Sequence, residues 1–207
     1  MKIPFKKDAI AQHYDEVIGS QMSWRWKATQ LLTAAKIIFK QAIKYKTVST
    51  KFPAIGTKAW TTKESQELEK LLQYEVAGFL LALAVENLLK ALWVGKNRPR
   101  VKNIERIDKQ LNEICEYNLV LLCKKAEFSI TDLEKTFLTA LTETTFWRGR
   151  YPMPLKRTDY ARYFEPGCSL SFIIEDSVKK NWPASVDNFI QRLNEALSNI
   201  PEKINIK

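Results

Sequence analysis

The chain has 207 residues, 45% of them hydrophobic, which is enough for one sizeable core and too apolar for a disordered tail. Six glycines and eight prolines are too few for the many turns of an all-β sandwich. With 33 Lys and Arg against 23 Asp and Glu, the formal charge is +10, a sign that favours polyanions or acidic protein surfaces as partners.

Residues 1–7 lead straight into polar sequence without the apolar stretch of a secretory signal, so a cytoplasmic location is expected. Asp8 can cap a short first helix to about Val17, ended by Gly19-Ser20. A long helix is predicted over 22–46. Its apolar positions Ala28, Leu31, Leu32, Ala35, Ile38, Phe39, Ala42 and Ile43 keep the three-and-four spacing of one buried face. Pro53 and Gly56 mark 47–62 as a long connection.

Thr61 and Glu64 have the spacing of a capping box, and the helix they open is predicted to run to about Lys96. Its stretch from Val76 to Val94 approaches the length of a membrane span. Glu86, Asn87 and Lys90 lie inside that stretch and would be costly in lipid, so it reads as the central helix of a bundle, with no membrane partner expected. Asn97-Arg98-Pro99-Arg100 breaks it.

Further helix is expected over 104–126, with an interruption near Tyr117-Asn118. Thr131 and Glu134 form a second capping-box pattern, opening a helix to about Trp147. Pro152 and Pro154 forbid regular helix, which leaves 151–176 irregular, and Pro183 suits the first turn of a last helix over about 183–200. The pattern predicts a single all-α domain over 1–207, a bundle of five to six main helices.

Charge is unevenly spread. Between Glu16 and Glu64 there is no acidic residue, while the same interval holds Arg25, Lys27, Lys36, Lys40, Lys44, Lys46, Lys51, Lys58 and Lys63. Lys36, Lys40 and Lys44 recur every fourth residue and stack on one helix face, where like charges repel and a phosphate backbone would relieve them. In Trp24-Arg25-Trp26 the two rings cannot share a face, so at least one should pack inward. The cysteines Cys115, Cys123 and Cys168 form no CxxC, and with one histidine no metal site or cofactor is expected. Glu113, Glu116, Asp132 and Glu134 read as surface and capping residues rather than a catalytic dyad.

Two segments carry a family resemblance. One is Glu86 and Lys90, an ExxxK pair four apart inside the apolar helix, where charges need partners. The other is 141–154, reading LTETTFWRGRYPMP. Over roughly 70–155 the chain resembles the HEPN superfamily of small helical RNA-acting domains, with the matching core at about 22–155. The resemblance, with the cost of burying Glu86 and Lys90 unpaired, points to one polar groove of Glu86, Lys90, Arg148 and Arg150, with Tyr151 nearby and Lys156 and Arg157 downstream. It also implies an RNA or nucleotide ligand, a homodimer, and a place in a bacterial stress or defence system. HEPN ribonucleases use an Arg-x(4–6)-His motif. The single histidine, His13, has no arginine before it, and the slots counted from Arg148 and Arg150 hold Met153, Pro154, Leu155, Lys156 and Arg157. The expectation is therefore binding of RNA or a nucleotide without the family's ribonuclease chemistry. The rival is a protein-interaction subunit whose basic face takes an acidic partner, and the third reading is a ribonuclease with non-standard acid and base. A structural role for the 147–151 segment would have its arginines pair with Glu86 or with the last helix carbonyls while Trp147 and Tyr151 pack the base of the bundle.

Overall fold

A computed structural model describes residues 17, 19–43, 61–97, 117–145 and 184–200. Among these it contains five helices and no strand: α1 (Gln21–Ile43), α2 (Thr62–Asn97), α3 (Leu119–Lys125), α4 (Asp132–Glu143) and α5 (Ala184–Ser198). The predicted all-α bundle is what is found. Residues 8–16 of the first expected helix, the irregular 151–176 and the stretch 104–116 lie outside the described residues.

Local chemistry sets the helix ends. The Ser20 hydroxyl accepts the Ser23 N–H at 3.3 Å and starts α1, and α2 begins directly after Thr61. The break expected at Asn118 is an N-cap, its side-chain oxygen accepting the Val120 and Leu121 N–H groups at 3.0 and 3.1 Å. Thr131 and Glu134 form the full reciprocal capping box. Ala184, the residue after Pro183, opens α5.

α1 and α2 run antiparallel, since Trp24 lies near Lys90 at one end and Phe39 meets Tyr74 edge-on at 5.5 Å at the other. This pair makes the most extensive helix contact in the fold. Alanines recur every seventh residue on both members: Ala28, Ala35 and Ala42 on α1, and Ala77, Ala84 and Ala91 on α2, all buried. Such small side chains let two helix axes approach toward the short end of the roughly 8–10 Å range of helix pairs. Gly95 continues the close approach. A Cβ there would lie 2.8 Å from the Ile200 side chain and 2.9 Å from that of Gln21, whose amide donates to the Leu197 carbonyl at 3.2 Å.

α5 runs antiparallel to α1, with Asp187 near Lys36 and Leu197 near Gln21. Its Phe189 is fully buried, edge-on to Phe128 at 5.7 Å and Phe137 at 6.2 Å. The core continues through Leu89, Leu92, Leu122, Leu138 and Leu193. Gln73–Asn97 is the one stretch among the described residues long and apolar enough to cross a membrane, and 61% of its most apolar window is buried inside the fold.

The end of α3 is unusual. The Phe128 N–H returns to the Cys123 carbonyl at 2.9 Å and the Glu127 N–H to Lys124 at 3.1 Å, a Schellman pattern. The residue turned left-handed, at φ 51°, is Glu127, where glycine is usual. Lys96 at the end of α2 donates to the Ala126 and Glu127 carbonyls at 2.9 and 3.0 Å, holding the turn from outside. Glu127→Gly should therefore stabilise the protein by about 0.5–1 kcal/mol, relieving Cβ strain while keeping both carbonyls. Thermal melts of the two proteins check this.

Candidate functional site

The outer face of α1 is built from what the alanine seam leaves over. Trp24 and Trp26 divide as expected: Trp24 packs against the core, and Trp26 stands 68% exposed. Met22, one turn before it, and Ile37, three turns after it, are exposed at 56% and 53%. The Thr29 and Thr33 hydroxyls donate to the carbonyls four residues back, Arg25 and Thr29, at 3.0 and 2.8 Å. Their oxygens are thus spent on the helix itself.

Among the described residues, the side chains of Arg25, Lys27 and Lys40 have no ion-pair or hydrogen-bond partner. Lys36 differs, because its ammonium meets the Asp187 carboxylate of α5 at 2.8 Å with both ends near half-exposed. The predicted lysine row is therefore split, one member stitching α1 to α5 and another, Lys40, without a partner among the described residues. Lys44 lies outside the described residues. The open groove of about 720 Å³ between α1 and α5 mixes Lys36 with Asp187 and Glu195 over a floor of Leu32 and Ile190. Two carboxylates beside one ammonium make it a poor seat for a polyanion. The cationic character belongs to the outer face.

Beneath that face lies the ExxxK pair. Lys90 donates to Glu86 at 2.6 Å, both side chains are largely shielded from solvent, and the Lys90 ammonium stands 5.4 Å from the centre of the Trp24 ring. Glu86 thus has its partner on its own helix, and Lys90 has a second one from α1. Arg148, Arg150, Tyr151, Lys156 and Arg157, the rest of the expected groove, lie outside the described residues.

No family model matches this sequence. No curated protein and no solved structure matches it either.

A second buried polar cluster was not singled out from the sequence. Glu134 closes the capping box as expected, yet it is 8% exposed and accepts from Arg192 of α5 at 2.5 Å. Arg192 also donates to the Ser129 carbonyl at 2.7 Å and covers the Phe128 ring at 5.1 Å. Burial pushes the Glu134 carboxyl upward, but the Thr131 backbone N–H and the Arg192 guanidinium outweigh it and hold it below the ordinary range. The nearby Cys123 thiol is pushed up to about 12, by burial first and then by the Glu134 charge, which leaves it protonated and inert. With Glu134 taken up by Thr131 and Arg192, and Arg192 also bonded to Ser129, this cluster fastens α5 to α4. Among the described residues no group of His, Cys, Asp or Glu could hold a metal ion.

Proposed function

We propose that this is an RNA- or nucleotide-binding protein of HEPN-like character, acting without the family's ribonuclease chemistry. The observation that carries the proposal is the unpartnered cationic face of α1. Among the described residues Arg25, Lys27 and Lys40 have no side-chain partner, and the run from 17 to 63 contributes no carboxylate. Repulsion among unpaired cations is relieved by a phosphate backbone. The ExxxK pair at Glu86 and Lys90 and the arginine-rich 148–157 segment support the same reading by resemblance, and the missing Arg-x(4–6)-His motif argues against cleavage.

Fluorescence anisotropy with a labelled single-stranded RNA 12-mer tests it. If the three free cations each meet a phosphate, log K should fall with log salt at a slope of about −2, from roughly 0.7 per contact. No binding at low salt would overturn the proposal. Equal affinity for polyglutamate would assign the face to an acidic protein partner instead.

A further inference from the structure

α1 presents an aromatic ring between two unpaired cations. Trp26 is 68% exposed, and its sequence neighbours Arg25 and Lys27 have no side-chain partner among the described residues. In a helix each residue is turned about 100° from the last, so Arg25 and Lys27 emerge on opposite flanks of the Trp26 ring. Met22, one turn earlier, is exposed on the same face as Trp26. Lys40 is fourteen residues on, four turns or roughly 21 Å along the axis, which leaves room for several nucleotides.

We infer that Arg25, Trp26 and Lys27 form a stacking site for one base of single-stranded RNA, the two cations taking the phosphates on either side of it. The inference rests on the RNA-binding reading and gives it an address. Three observations converge on it. An apolar ring this exposed is unusual for a residue that normally buries most of its surface. No acidic residue lies between 16 and 64, so α1 itself offers no carboxylate to compete with a phosphate. The inner face of α1 is locked against α2 through Ala28, Ala35 and Ala42, so the ring rides on a rigid support rather than a loop. A π-face stacks with any base, which fits binding with little sequence preference.

The same features weigh against a lipid surface. An in-plane membrane helix buries a continuous apolar face. Here Thr29, Gln30 and Thr33 are exposed between Trp26 and Ile37, so the large apolar groups do not join.

Binding of the full chain to a mixed-sequence single-stranded RNA 12-mer, to the matching duplex and to phosphatidylserine vesicles tests the inference. Trp26→Ala should weaken single-strand binding roughly ten- to hundredfold, the loss of one stacked base. Its salt slope should stay that of the wild type, because no charge is removed. Trp26→Phe should restore most of the affinity. Arg25→Gln with Lys27→Gln should flatten the slope by about 1.4, roughly 0.7 per phosphate contact. Wild-type affinity in Trp26→Ala overturns the stacking site and leaves the broader reading standing, with the RNA bound elsewhere. An equal loss toward the duplex overturns it too, since paired bases offer no face to the ring. Absence of RNA binding by the wild type removes both readings, and binding to vesicles alone assigns Trp26 to membrane contact.

Discussion

Lys90→Ala is expected to lower stability by about 3 kcal/mol, the low end for breaking a buried ion pair, and to drop the melting temperature by roughly 6–12 °C. The loss comes from Glu86, only 7% exposed, whose carboxylate would keep its burial and lose its 2.6 Å partner. Trp24 would lose the cation over its ring as well. The double replacement Glu86→Leu with Lys90→Met should come back to within about 1 kcal/mol of the wild type, because removing both charges strands neither. A double variant as unstable as Lys90→Ala would show that the pair contributes something beyond mutual neutralisation. RNA binding measured on the same double variant then separates a structural pair from a ligand contact. Unchanged affinity makes the ExxxK pattern an internal tie, and lost affinity with a restored melting temperature makes it part of the binding surface.

Phe189→Ala should cost about 3–5 kcal/mol, the range for deleting a fully buried phenyl group. Phe189 is where α5 enters the core, wedged between Phe128 at 5.7 Å and Phe137 at 6.2 Å. Chemical denaturation should show the midpoint falling while the slope with denaturant holds. A drop below about 1 kcal/mol would mean that α5 is not an integral part of the bundle in solution. The Arg192 to Glu134 contact, one turn along the same helix, should survive in the variant.

What could be read from the sequence follows the reach of local interactions. The capping box at Thr131 and Glu134 and the N-cap at Asn118 need only residues two or three apart, and both are present. The inward turn of one tryptophan in Trp24-Arg25-Trp26 follows from helical geometry alone. The buried face of α1 was legible from spacing, and its Ala28, Ala35, Phe39 and Ala42 are all in the core. The polar ties between helices were not. Lys36 finds Asp187 151 residues away, and Arg192 finds Glu134 58 residues away. Neither residue carries a local mark of its partner, because the pairing exists only once α5 has docked. For the same reason Lys36 read as a member of a free row, when the fold employs it. Glu134 read as a surface cap because its capping role is local, whereas its burial depends on α5.

The alanine seam raises a question of alignment. A repeat of seven on both α1 and α2 is a ruler with equally spaced marks, and sliding one helix past the other by one repeat would bring alanine opposite alanine again. Small seams therefore fix the distance between two helices without fixing their offset. The marks that do not repeat must set it. Phe39 against Tyr74 closes one end, Trp24 over Lys90 lies near the other, and Gln21 laid across Gly95 stops the far edge. A slide of one repeat would cover about 10 Å, at 1.5 Å per residue, and would break all three at once. The alignment of the hairpin thus depends on a few bulky, unlike contacts at its ends, and the same contacts decide where along the bundle Trp26 and its flanking cations are displayed.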